Sequence, residues 1–440
     1  MTTSGQSQKN VEAATAPLRP TPAATPSPHR PTSLHSGLQA WLQVVSGFML
    51  YFNSWGIVTA FGVFQLYYPS TLLPTTSPST ISWIGTMQGF LLAVTSIFAG
   101  CVLDRGHPKI LVLLGTVFVV LGLMTTSACR IYWEFMLAQG VCVGIGAGML
   151  FITAVGVIPG WFARRMALAT GLAATGSSLG GVIYPIVFHK LEPRVGFGWT
   201  LRVIGFIALA TCLAAFSLST QRTLPPPRPK LIDISGFREP LFTLFALVSF
   251  TGAMGLYIPF FYITDYTTST LPSTTPSLSW YMLPILSAGS VVGRTIPALM
   301  ADRWGSLPVL AVTTAISAVL AFVWIVVKGS VAGLIVWSLL YGAFSGAFVS
   351  LQTPTVASIT PDMRFVGGRM GMNNFCLALG VLLGNPVAGA IGGNRQWWLG
   401  VQVFCGASLA AAAVLSSITW AVKEGRNPLS RKRQINTSDD

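Results

Sequence analysis

Twelve separate stretches of this chain are each long and apolar enough to cross a lipid bilayer, and that pattern leaves few folds open. A helical span needs about 20 apolar residues, because the hydrocarbon core is about 30 Å thick and a helix rises about 1.5 Å per residue. Runs of that length fall near 41–66, 82–103, 109–128, 133–158, 166–189 and 199–218, and again near 241–264, 278–301, 307–327, 330–352, 367–392 and 397–421. In lipid every backbone N–H and C=O must be satisfied inside the protein, so only helices and closed barrels span. Barrel strands read as short alternating segments; these runs are long and unbroken. The expected fold class is all-α integral membrane, with twelve transmembrane helices in two six-helix halves.

Composition agrees. Of 440 residues, 52% are hydrophobic and only 9% are charged, where soluble domains average about 25% charged. The net charge of +14 reflects basic loops on one side of a membrane. Nucleic acid is not an expected partner, since no basic patch is interleaved with exposed aromatics. Cys101, Cys129, Cys142, Cys212, Cys376 and Cys405 form no CxxC pair and fit neither a disulfide framework nor a zinc site. With 12 acidic residues and 4 histidines, the spans lack the acids, bases and ligands that catalysis or a metal would need. No enzyme activity and no cofactor are expected.

Residues 1–37 are rich in Pro, Ser, Thr and Ala, show no signal peptide and read as a disordered cytoplasmic tail. Residues 38–218 form an N-terminal half and 241–421 a C-terminal half. The longest polar connection, STQRTLPPPRPKLIDISGFREP at 219–240, separates them, and 422–440 is a second tail. Lys and Arg concentrate in the tails and in the connections after even-numbered spans, which hold Arg105, Lys109, Arg164, Arg165, Arg222, Arg228, Lys230, Arg238, Arg303, Arg364 and Arg369. The other connections hold only Arg130, Lys190, Arg194, Lys328 and Arg395. Both tails and the central loop are therefore expected in the cytoplasm.

The halves repeat. Gly100-Cys101-Val102-Leu103-Asp104-Arg105 follows span 2, and Ala298-Leu299-Met300-Ala301-Asp302-Arg303 follows span 8. Arg165-Met166 opens span 5 ahead of Gly176 and Gly180; Arg369-Met370 opens span 11 ahead of Gly380 and Gly384. A duplicated six-span unit is the architecture of transporters, whose substrate sits near mid-membrane where the repeats meet. The Asp-Arg loops can gate: a small residue lets helices approach, while the Asp caps a helix or pairs with a cation. The plain alternative is that these loops only set topology. Gly140, Gly144 and Gly148 fall on one helix face, where backbones can touch. Pro185 and Pro386 fall inside spans 5 and 11, and Pro259 and Pro297 inside spans 7 and 8, as candidate kinks.

Arg294 lies within span 8, about two turns from Asp302. A charge inside a span is costly and faces a cavity or a partner, unless it snorkels to the headgroups. It is the leading substrate-binding candidate, with Asn53, Thr59, Tyr257 and Asn373 as further wall residues. Asp265, at the outer end of span 7, reads as an interfacial carboxylate.

Both Asp-Arg loops resemble the G-x-x-x-D-R-x-G signature of the major facilitator superfamily, with Ala298 replacing Gly in the second. The chain from about 35 to 421 resembles that superfamily's fungal monocarboxylate-transporter branch. The resemblance is carried by LQAWLQVVSGFMLYFNSWGIVTAFGVFQLYY (38–68), WFARRMALATGLAATGSSLGGVIYP (161–185), GFGWTLRVIGF (196–206) and FVGGRMGMNNFCLALGVLLGNPVAGAIGG (365–393). It implies a carrier of small organic molecules that works by alternating access, most simply an exporter of a fungal secondary metabolite or organic acid at the plasma membrane. A vacuolar or other internal membrane is open, as are an importer of a monocarboxylate or vitamin-like molecule and a non-transporting sensor. The expected partners are a small anionic organic molecule and membrane lipid. Three departures stand out. His35-Ser36-Gly37 replaces the family's Asp-Gly-Gly at the start of span 1, Thr59 stands at the lysine of animal members, and Ser290 stands at their span 8 aspartate. The family's proton relay is therefore not carried over.

Overall fold

The computed structural model describes residues 35–162, 165–220, 234–271, 276–327, 329–361, 365–392 and 398–426. Most of the two tails and of the 219–240 connection lies outside the described residues, as do Arg164, Lys328, Arg364 and Arg395. The chain separates into Met1–Leu38, of which only the start of a helix is described, and Gln39–Asp440, which holds the bundle.

Among the described residues, eleven helices are long and apolar enough to cross a membrane. One of them, Met166–Leu218, has 53 residues and would reach about 80 Å if straight. Gly196 breaks it, with φ 75 and ψ 167, so it is two spans joined by a turn. Twelve spans therefore stand among the described residues: α1 (Gly37–Leu72), α2 (Pro78–Asp104), α3 (Pro108–Thr126), α4 (Tyr132–Gly160), α5 (166–195), α6 (197–218), α7 (Pro240–Thr270), α8 (Pro276–Trp304), α9 (Ser306–Val326), α10 (Val331–Ile359), α11 (Val366–Gly392) and α12 (Trp398–Arg426). Proline at the first turn starts α2, α3 and α7, where its missing N–H costs nothing. Ser77 and Ser330 cap α2 and α10, accepting from Thr80 N and Gly333 N at 3.1 Å.

The bundle is apolar outside and holds its polar groups inside. Val326, Val319, Leu137 and Leu213 are exposed, whereas Asn53, Gln139, Gln352 and Asn385 are buried. Lipid permits the first and penalises any exposure of the second. Small residues let the helices touch. A Cβ on Gly140, Gly144 or Gly148 of α4 would run into Ile84, Gln88 or Leu92 of α2.

The same device shows the duplication. Gly176 and Gly180 of α5 lie on the carbonyls of Phe48 and Phe52 in α1; Gly380 and Gly384 of α11 lie on those of Phe250 and Met254 in α7. In that register Trp55 matches Tyr257. Both sit at breaks: α1 is interrupted at Ser54 (φ −96, ψ −90), and α7 at Tyr257, two residues before Pro259. Pro185, Pro297 and Pro386 lie inside helices that continue through them.

Candidate functional site: a cavity between the halves

The two helix breaks face each other. The Trp55 and Tyr257 rings stack at 5.3 Å between centroids and 11° between planes. Trp55 belongs to α1 and Tyr257 to α7, so the stack bridges the halves. Beside the stack lies a cavity of about 30 Å³, lined by Tyr51, Trp55, Phe151, Tyr257, Gln352 and Asn374 among others. That volume holds about one water molecule. Phe151 packs edge-on to both Tyr51 and Trp55, at 5.7 and 6.2 Å.

Arg294 is buried behind this wall. Its Nε donates to Ser290 Oγ at 3.2 Å and its Nη1 to the Ala174 carbonyl at 3.1 Å. The second bond crosses from α8 to α5, and Ala174 itself lines the cavity. Arg294 lies within electrostatic reach of Tyr51 and Tyr257. Ser290, on the preceding turn, thus orients the guanidinium. The crossing is tight here: a Cβ on Gly171 would sit 2.6 Å from the Arg294 carbonyl.

Among the sequence candidates, Tyr257 lines the cavity, Arg294 lies behind its Ala174 wall, and the others are held elsewhere. Asn53 is buried within the N-terminal half. It donates to the Met49 carbonyl at 2.8 Å and to Thr211 Oγ1 at 2.7 Å, and accepts from Tyr184 Oη at 2.7 Å. Thr59 donates to the Trp55 and Gly56 carbonyls at 3.0 Å, close to where Gly181 of α5 meets Ser287 of α8. Asn373 is one step removed from the cavity. It donates to Gln352 Oε1 at 3.0 Å and accepts from Ser249 Oγ at 2.7 Å. Gln352 does reach the cavity, and its Nε2 is buried without an acceptor among the described residues. Sequence reasoning missed Gln352, Tyr51, Trp55 and Asn374. An amide inside an apolar run was the available signal for Gln352.

The gating candidates occupy matched turns at one end of the bundle. Asp104 is half-buried; Arg105, Asp302 and Arg303 are exposed. Both turns close on glycines in the left-handed region, Gly106 (φ 84) and Gly305 (φ 88), a conformation that side chains with a Cβ resist. At the same end Arg369, buried at the start of α11, grips Glu239 before α7. Nη1 meets Oε2 at 2.8 Å, and Nη2 meets Oε1 in a second short contact. Arg369 also lies over the Phe242 ring at 5.6 Å. At the opposite end Asp265 lines a cavity of about 250 Å³ that also includes Gln65 of α1 and Trp398 of α12.

Residues 43–297 match the Major Facilitator Superfamily. The chain is 44% identical over 386 residues to the MFS-type transporter dbaD of Emericella nidulans, covering 87% of this chain and 86% of that one. It is 35% identical to the agnestins efflux protein of Paecilomyces divaricatus, over 87% of each chain. It is 32% identical to the aspyridones efflux protein of Emericella nidulans, over 86% of this chain and 77% of that one. The solved structure of the nucleoside transporter NupG shares the fold at a TM-score of 0.66 and 13% identity, covering 87% of this chain and 99% of that one. With the family model matching more than half of the chain, and relatives more than 30% identical over most of its length, the chain belongs to the Major Facilitator Superfamily.

Proposed function

We propose that this protein exports a small secondary metabolite across the plasma membrane by alternating access. The observation that carries the reading is the Trp55–Tyr257 stack, which joins the halves over an aromatic cavity with Arg294 behind it. The cavity is too small for an organic molecule, so substrate enters only when the halves part. Its walls suit a planar ring between Trp55 and Tyr257, and its donors suit an anionic or enolic oxygen. Gln352 Nε2 offers an unused N–H, and a guanidinium pairs best with a planar carboxylate. Relatives named as efflux proteins for agnestins and aspyridones support export. The sequence motifs favour the monocarboxylate-transporter-like branch. The Lys and Arg distribution favours cytoplasmic tails and a cytoplasmic 219–240 loop, with the Asp-Arg turns at that side as gates and the Glu239–Arg369 pair bracing α7 to α11 within the C-terminal half.

Arg294 keeps its charge at any physiological pH and so cannot relay a proton. Ser290 beside it and Thr59 do not titrate in that range. Transport through this site is therefore uncoupled, or only weakly coupled, to protons. The test is flux in reconstituted vesicles, with an aspyridone and an agnestin as first substrates and a set of planar aromatic acids beyond them. We expect saturable flux down the substrate gradient and no uphill accumulation when a pH gradient is imposed. Gradient-driven accumulation would refute the coupling claim. Absence of flux for every acidic or enolic compound, with flux of a neutral one, would refute the substrate class.

A further inference from the structure

A second recess lies away from the transport path, at the end of the bundle that carries the Asp-Arg turns. It has a volume of about 570 Å³ and runs between the start of α9 and the ends of α10 and α12. Two exposed tryptophans, Trp304 and Trp420, line it, together with apolar side chains such as Met300 and Val312. Half-buried Lys423 also lines it and donates to Ser358 Oγ at 3.1 Å. An ammonium has three donors, so two remain for a ligand. The carboxylate in the lining, Glu424, accepts from Trp420 Nε1 at 3.0 Å. An adjoining recess of about 260 Å³ shares Met300 and Trp304 and adds Arg303, together with outward-facing Ile296 and Leu299.

We propose that this groove binds one anionic phospholipid, with its headgroup on Lys423 and Arg303 and an acyl chain along Met300 and Val312. Charge and shape argue for this occupant together. Cations beside tryptophans mark the depth of headgroups. The apolar walls continue into the exposed face of Leu299, Ile296 and Val312, which a soluble anion would leave unfilled. The groove joins α8, α9, α10 and α12, so its lipid would brace the C-terminal half alone.

The full-length protein, purified in detergent micelles doped with phosphatidylserine or phosphatidylcholine, is examined by native mass spectrometry for retained lipid. We expect phosphatidylserine to be retained about fivefold better per engaged cation. Lys423→Ala should cut that preference about fivefold, leaving the share that Arg303 supplies. Glu424→Gln should widen the preference, because it removes a negative charge while keeping an acceptor for Trp420. The opposite signs keep the proposal testable if either variant folds poorly. Equal retention of the two lipids by the wild type would overturn it. So would an unchanged preference in either variant, or displacement of the lipid by millimolar inorganic phosphate or glycerophosphoserine, which would make the groove a simple anion site.

Discussion

The two halves share a scaffold but not a chemistry. Matching glycines of α5 and α11 press on matching carbonyls of α1 and α7, and the same register pairs Trp55 with Tyr257, Arg165 with Arg369, and Gly37 with Glu239. At the last two positions the copies diverge. The C-terminal copy has a bidentate ion pair, Glu239–Arg369. The N-terminal copy has an uncharged glycine by sequence, and Arg165 is exposed at φ 63. The interiors diverge too. The C-terminal half supplies Arg294 and the Ser249–Gln352–Asn373 network. The N-terminal half instead gathers Tyr67, Tyr68, Phe135, Phe188 and Phe197 in mutual contact, with the Tyr67 hydroxyl donating to Glu192 Oε1 at 2.9 Å. Duplication thus preserved the backbone crossings that must slide and left each copy free to specialise.

Several substitutions break or sharpen that contrast. The largest effect is expected at the central cavity. Arg294→Ala should lose transport by at least about tenfold, as the loss of hydrogen bonds to a charge of ~1.5–3 kcal/mol implies, while still reaching the membrane. Arg294→Lys should lose much of it, because a point charge lacks the planar fork. Undiminished flux in Arg294→Ala would leave the C-terminal half without its recognition role. Next comes the ion pair. Arg369→Gln should lower thermal stability by about 2 kcal/mol, whereas Arg165→Gln should stay within about 0.5 kcal/mol; equal melting shifts would erase the asymmetry. Between the turns, Asp104→Asn should slow flux by about two- to fivefold, the scale of one partly exposed charge interaction. Asp302→Asn should do less, because Asp302 is exposed and Asp104 is half-buried. Wild-type flux in both would reduce the turns to topology signals. The smallest expectation is a null: Asn436 of the Asn436-Thr437-Ser438 sequon should carry no glycan, and a glycan found there would invert the orientation.

The spans were legible because hydropathy needs no neighbours. Even the split of Met166–Leu218 was readable, since polar residues separate the runs ending near 189 and beginning near 199. The break at Ser54 was not legible. No proline marks it. The site was legible only as a list of costly residues. A polar side chain inside a span announces that it has a partner, not which one. Asn53 and Asn373 look alike in sequence, yet each is absorbed into the interior of its own half. Gln352 reaches the cavity because α10 turns it there, and the Trp55–Tyr257 stack depends on two helices 202 positions apart in the chain meeting at their breaks.

The central claim is that the halves separate at each end in turn. The contact between α2 and α11 at the Asp104 end offers a direct test. A Cβ on Gly371 would lie 3.9 Å from the Ile97 Cβ, within the usual span for a disulfide. The measurement is flux through Ile97→Cys/Gly371→Cys, with the half-exposed native cysteines replaced by serine, before and after oxidation. Transport is expected in the reduced protein, arrest once the disulfide forms, and recovery on reduction. Full flux through the completely oxidised protein would show that the halves do not part there and would contradict it.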